Sequence, residues 1–434
     1  MDQRSDRGIP RRAFLRSAVA IGGASALAAC LDRERADVPT GPDDLSTLPD
    51  RQHAWNAVSA TDDYGNVLPP RHRVLLALNL PADGTPSAAA RETTETALRS
   101  LERAYERSHE GLLFTISYSP AYFERFDAAL PDAVDLPMPE PLAAFEDPDP
   151  DTPDAMVHLA SDHASVVLGA EQALRGEREE LNGVAVDAAL ADVFEVADRR
   201  TGFVGEGLPA SHQDVDGVPD SDPVPEEAPL YMGFKSGFSK NQATEDRVTI
   251  RDGPFAGGTT QHVSNLRLNL SQWYEQDDRF QRVGKMFCPA HAKSGAVEGV
   301  GDNLGDSSGM SDCPAADDSA REDGMVGHSQ KMVSAREDDR PVILRRDFDS
   351  TDGGHAGLHF VALQRRVEEF VATREAMNGT DLSGAAVGER NNNGILQYLD
   401  VRTRGNFLVP PRRLRALPTA SPADAPPEGT DAPA

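Results

Sequence analysis

Arg73-Val74-Leu75-Leu76-Ala77-Leu78-Asn79-Leu80 is a compact apolar run of strand length, and the segments that follow it decide the fold. Residues 87–107 have helical spacing, with Ala97, Leu98, Leu101, Ala104 and Tyr105 on one face. Gly111-Leu-Leu-Phe-Thr-Ile-Ser-Tyr118 reads as the next strand, and 120–126 as a short helix. A Pro- and Asp-rich stretch from 131 to 154 reads as loop. Strand 155–160, helix 164–174 and strand 191–196 complete the series. Strand, helix, strand, strand, helix, strand is the ferredoxin-like order.

Past an acidic, Pro-rich break the pattern recurs. Residues 260–270 alternate as a strand, 276–286 suit a helix, 341–345 and 357–363 are strands, and 365–377 is helical. The expected class is α+β: two ferredoxin-like halves with antiparallel sheets. The halves are assigned to 71–210 and 229–412, joined by an acidic linker at 211–228. A polar insertion, 289–324, interrupts the second half and is expected to be solvated or disordered. Residues 31–70 read as a disordered linker and 413–434 as a disordered tail, both from their Asp, Pro, Thr and Ala content.

Residues 1–30 have a different logic. Arg11-Arg12-Ala13-Phe14-Leu15-Arg16 pairs two arginines ahead of an apolar pair. The weakly apolar stretch 17–29 is too short to span a bilayer. It ends Leu27-Ala28-Ala29-Cys30, a small-residue cleavage site with a cysteine positioned for a diacylglyceryl group. We expect export in the folded state by the twin-arginine route and membrane attachment only through a lipid on Cys30.

The formal net charge is −28, from 43 Lys and Arg against 71 Asp and Glu. Lysine occurs only at 235, 240, 285, 293 and 331, so nearly all positive charge is arginine. Such a surface stays hydrated at high salt and points to a halophilic source. It excludes nucleic acid as partner, because phosphates need a basic face. With Cys30 assigned to lipid, Cys288 and Cys313 remain, and a disulfide and two free thiols are both open. His291 lies near Cys288, yet two cysteines alone do not make a zinc site. His355 and His359 are four apart, but His359 falls in a strand, where that spacing builds no shared site. His262 either faces a cavity from its strand or is an ordinary half-buried histidine.

Several segments of the second half occur in a telling order: Gly233-Phe-Lys-Ser-Gly237, Ala256-Gly-Gly258 leading into a strand, Gly327-His328, Val342-Ile-Leu-Arg-Arg346, Gly357 to Gln364, and Phe407-Leu-Val-Pro-Pro411. This order resembles the dye-decolourising peroxidases, from about Arg73 to Pro411. The resemblance implies a dimeric α/β-barrel arrangement of the halves, haem b as cofactor, and hydrogen peroxide with an unidentified reductant as substrates. A homo-oligomer is the default it suggests.

By position, the resemblance makes His328 the axial ligand of the haem iron, seventeen residues before Arg345. A neutral imidazole suits that role, its second nitrogen hydrogen-bonded to tune it. Arg345 takes the distal place, where a guanidinium stabilises charge on a departing peroxide oxygen. Its neighbour Arg346 is expected to pair with a carboxylate. Gly233, Phe234 and Gly237 would border the haem, and Gly257 and Gly258 would let backbone approach a flat ligand.

One position departs from the pattern. The family motif Gly-Phe-x-Asp-Gly carries a proton-transferring aspartate where this chain has Ser236. A serine hydroxyl binds a distal water but is a poor general base. Asp252, in Arg-Asp-Gly, is a substitute carboxylate by type, although a turn before Gly257 and Gly258 also accounts for it. Three functions therefore remain open: a haem peroxidase, a non-catalytic haem- or iron-binding lipoprotein of the same fold, and a scaffold that has lost haem.

Overall fold

The computed structural model describes residues 38–81, 83–382 and 386–422. Arg11, Arg12 and Cys30 lie outside the described residues. The folded body begins at Thr40.

The first half is built from β1 (His72–Asn79), α1 (Ala88–Ala104), β2 (Leu113–Tyr118), β3 (Ala155–Ser161), α2 (Ala164–Leu174) and β4 (Glu195–Phe203). β1 pairs with both β3 and β4, and β2 pairs with β3, all antiparallel. The second half repeats the plan with β5 (Thr259–Leu268), α3 (Arg279–Met286), β6 (Phe348–Ser350), β7 (Gly357–Gln364), helix Val367–Asn378 and β8 (Leu399–Val409). Here β5 pairs with β7 and β8, and β6 with β7. Each half thus has the ferredoxin-like order 4-1-3-2.

Two junctions unite the halves. β6 meets β4 at Asp349 and Phe203, and β8 meets β2 at Leu408 and Tyr118. With β5 paired to β8, the eight strands close into a barrel. Because side chains alternate along each strand, every second residue faces inward. Leu75, Ala77, Met156, Val263, Phe348, Val361 and Phe407 form the apolar interior. Arg73, His158 and His359 are buried in phase with them.

Three sequence expectations are corrected. Residues 40–70 are not a disordered linker: Leu45, Gln52, His53 and Trp55 are buried. Gln52 donates to the carbonyls of Ile116 and Pro410 and accepts from the Ile116 N–H, completing the edge of β2. The insertion 289–324 is ordered, with helices at Pro289–Ser294 and Ala316–Glu322. Its few apolar residues, Val297, Val300 and Met310, join the core cluster that holds Phe234 and Phe287. Cys288 and Cys313 are joined in a disulfide across it. The segment after 412 also folds back, burying Leu417 and Ala420, and the Tyr118 hydroxyl donates to the Arg415 carbonyl.

The last strand of the first half lies later than expected. Residues Leu190–Asp192 form a 3-10 turn, and β4 runs through Asp198-Arg199-Arg200. Those charges are matched within the fold. Arg199 pairs with Glu171, and Arg200 pairs with Asp151 at 2.6 Å and Asp198 at 2.8 Å.

Candidate functional site

A large cavity lies on the outer face of the second half's sheet and encloses about 1760 Å³ of space, its open mouth included. Strand alternation sets its floor: Ser264, Leu266 and Leu268 of β5 and Leu358 and Phe360 of β7 point into it, while Val263 and Val361 point into the barrel. The helix Val367–Asn378, here α5, presents Phe370, Arg374 and Met377 at helical spacing. The loop after residue 229 adds Met232, Phe234 and Ser236. The walls are mainly apolar with a few convergent polar groups, the usual make-up of a small-molecule or cofactor site.

His328 borders this cavity. It opens the short helix α4 (His328–Lys331) directly after Gly327. A Cβ at position 327 would stand 1.7 Å from the Phe287 carbonyl oxygen, so only glycine lets the two backbones meet there. The His328 imidazole is pushed down to about 3, first by burial and then by the charges of Arg345, Lys331 and Arg374. It is therefore neutral at any ordinary pH, with a lone pair free for a metal. Its Nδ1 is buried and has no hydrogen-bond partner among the described residues, which departs from the expected tuning bond. With Nδ1 closed off, Nε2 is the ligand atom the ring has to offer.

Arg345 and Ser236 meet in the same cavity, Arg345 Nη2 lying 3.1 Å from Ser236 Oγ. The Arg345 backbone N–H donates to Gln242, which fixes the short strand Leu344–Arg345 on β7. Arg346 points the other way. It is buried, pairs with Glu245 at 3.0 Å and lies 4.2 Å over the Trp55 ring. Alternation along an extended segment is the reason for this division between adjacent arginines.

The other expected site residues divide. Phe234 lines the cavity, and Gly233 lies against the Tyr274 hydroxyl. Gly237 follows Ser236 but does not line it. Gly257 and Gly258 lie elsewhere: their close approaches are to Pro411 and to the Val409 carbonyl, so a tight turn, not a flat ligand, accounts for them. Asp252 is exposed in the turn and does not reach the cavity. His262 is buried, hydrogen-bonded to Asn406 and Ser264, and stacked on Phe370 at 3.6 Å. His355 and His359 go to separate partners, Asp216 and Asp352.

Sequence reasoning missed three acidic groups of the cavity: Asp347, Asp349 and Glu146. Asp347 and Asp349 follow Arg345 at intervals of two, so period-two alternation was the available signal. Glu146 lies in the stretch read as loop and is held between Arg374 and Arg404.

The barrel and cavity together define a dye-decolourising-peroxidase-like fold. The chain is similar to a dye-decolorizing protein from V. cholerae, with 15% identity over 83% of this chain and 98% of the other and a TM-score of 0.52. It is similar to the encapsulated DyP-type peroxidase from Mycobacterium smegmatis at 14% identity, covering 82% and 97% of the two chains, with a TM-score of 0.54. A DypB variant from Rhodococcus jostii in complex with heme gives 15% identity, 85% and 99% coverage and a TM-score of 0.52. These likenesses establish the fold. No curated protein matches the sequence. Residues 70–411 match a family of unknown function, DUF7405, and the chain belongs to that family.

Proposed function

We propose that this protein binds haem b in the cavity and uses it as a hydrogen-peroxide-dependent oxidoreductase. The observation that carries the reading is that His328 and Arg345 border one apolar-walled cavity. The residues fit the group: a neutral imidazole to offer Nε2, and aromatic and aliphatic walls for a flat apolar ring. Bound haem would supply the redox chemistry of peroxide reduction. Arg345 would bind the peroxide and stabilise negative charge on the departing oxygen. Ser236 Oγ, 3.1 Å from Nη2, steadies the guanidinium.

A second reading, a non-catalytic haem- or iron-binding lipoprotein, is favoured by Ser236 itself, since a serine cannot carry protons as the family's aspartate does. The test is an absorption spectrum of the protein at high salt, before and after haemin, beside His328→Ala. A Soret band that the mutation removes or shifts supports haem ligation. No haemin uptake by the wild type sinks both readings and leaves a scaffold without haem. Peroxide turnover by the loaded protein then separates enzyme from carrier.

Folded export through Arg11-Arg12 and anchorage through Cys30 belong to the same reading, since the haem would be acquired before export. Among the described residues no helix is long and apolar enough to cross a membrane. Release of a Cys30→Ser variant into the medium, with the wild type retained in the membrane fraction, is the expected result.

A further inference from the structure

We propose that Asp347 is the proton-transfer group of this cavity, taking over the task that position 236 does not perform. The proposal rests on the haem-peroxidase reading above. Asp347 stands two residues after Arg345 in extended chain, and both side chains emerge on the cavity face. Arg345 Nη1 and Asp347 Oδ2 are 3.8 Å apart, and the carboxylate is 9% exposed. Its other oxygen, Oδ1, is buried with no hydrogen-bond partner among the described residues. What exposure the carboxylate keeps is therefore on its Oδ2 side, beside the guanidinium that would hold peroxide, and Oδ2 is the oxygen placed to accept a proton.

The groups around it set its charge. Arg345 lies beside it, Arg73 of β1 acts from the barrel, and Asp349 follows on β6. His158 of β3 is bound to Arg73 at 3.2 Å. Burial pushes the Asp347 carboxyl up from its ordinary value, and Arg345, its own backbone N–H and Arg73 pull against that. Asp349 is pushed well above its ordinary value by burial, and Asp347 adds to the effect. Two neighbouring buried carboxyls favour keeping a proton between them. Asp349 Oδ2 already accepts the Tyr231 N–H at 2.6 Å, so Asp347 is the member free to exchange.

In the step, Asp347 takes the proton from one peroxide oxygen and returns it to the other. The O–O bond would then break heterolytically, its electron pair staying with the oxygen that leaves as water. Bound haem would supply the two electrons, and two electrons and two protons from the reductant would carry the second oxygen to water and restore the group. Asp347 would end as it began, ionised, and Arg345 would stabilise the negative charge that develops on the departing oxygen.

The test compares the wild type with Asp347→Asn, Asp347→Glu, Asp349→Asn and the double variant Asp347→Asn/Ser236→Asp, all in the full chain. Without haem, infrared pH titration of the wild type is expected to show a protonated-carboxyl band that persists above the ordinary aspartate range. Asp347→Asn removes one component and Asp349→Asn the other. After haemin loading, Asp347→Asn keeps the wild-type haemin affinity but loses about 10²–10⁴-fold in peroxide-reduction rate together with its acid limb in pH. Ser236→Asp restores part of that loss. Asp347→Glu, an acid on a longer arm, shifts the limb and serves if the asparagine variant does not fold. A normal Soret band with the wild-type rate and pH profile in Asp347→Asn overturns the assignment and leaves the haem reading standing. A wild type that takes up no haemin overturns both.

Discussion

Gly394 closes directly on His328: a Cβ at 394 would stand 3.1 Å from both the Cα and the N of His328. The Gly394 N–H donates to the Val326 carbonyl at 3.0 Å, and Lys331, one turn beyond His328, is bound by Asn393. The segment 393–394 thus sets where the imidazole enters the cavity, although it is more than sixty residues away in sequence.

Gly394→Ala should therefore do two things. At φ +64 an alanine costs about 1–2 kcal/mol in backbone strain, with the contact against His328 added. Denaturant unfolding should show that loss, and haemin titration should show weaker uptake with a shifted Soret band. A variant with unchanged uptake and stability would mean that the His328 backbone yields freely.

Acid should destabilise the haem-free protein well above the carboxylate range. His53, His262 and His328 are held down to about 3 and His72 to about 4, with burial the first cause in each case. His158 is held well below its ordinary value for the same reason. A histidine depressed on folding contributes stability that is complete above its unfolded value near 6.5 and is lost as pH falls below it. Asp347, Asp349 and Glu369 are raised by burial and act in the opposite sense. With His291 lowered by burial as well, six histidines against three carboxyls leave a net loss of up to roughly 4 kcal/mol per pH unit below pH 6. Urea midpoints from pH 7.5 to 4.5 at fixed salt measure it, and a flat profile would contradict these burials.

Trp55 belongs to the fold and to the site's support. Its ring is buried, its Nε1 donates to the Gln52 carbonyl at 2.8 Å, and Arg346 and Arg73 both lie over its face. Trp55→Ala should cost about 3–5 kcal/mol. A chain beginning at 40 should fold, while one beginning at 71 should not. Equal unfolding midpoints for the two truncations would refute this.

What the sequence made legible follows from where the information lies. β1, β3, β7 and α2 are long apolar or periodic runs, and their bounds agree closely with expectation. β4 was concealed because Asp198, Arg199 and Arg200 are charged; Asp198 and Arg199 are exposed, and the one buried charge, Arg200, is matched by Asp151, distant in sequence, and by Asp198. Residues 40–70 were misread because composition averages over a lone Trp55. The cavity residues tied to the motif order, His328, Arg345, Ser236 and Phe234, do border one space. Asp347 was open to the same alternation argument that separates Arg345 from Arg346, whereas Glu146 had no local signal at all.

Reducing the Cys288–Cys313 disulfide should loosen the cavity as well as the insertion. Phe287, which lines the cavity, immediately precedes Cys288, and the bridge closes a separation of 25 residues. Removing a crosslink of that span costs about 3 kcal/mol. Cys288→Ser/Cys313→Ser should unfold earlier and show faster haemin exchange. Unchanged exchange with lowered stability would confine the bridge to a structural role.

Glu146 is the test of how the cavity tolerates buried charge. It is 3% exposed, paired with Arg374, and 2.7 Å from Arg404 Nη2. Burial alone would push its carboxyl up, but the two guanidiniums overcome this and hold it below the usual range. Arg404 Nε has no partner of its own among the described residues, so the Glu146 charge is its main compensation. Glu146→Gln removes that charge and leaves two buried cations facing one amide, an expected loss of about 3–5 kcal/mol at pH 7. A carboxylate depressed on folding contributes stability above its unfolded value that is lost as pH falls, so the gap between variant and wild type should narrow toward pH 3. A loss below about 1 kcal/mol would place the pair in the solvated class, meaning that water reaches the back of the cavity.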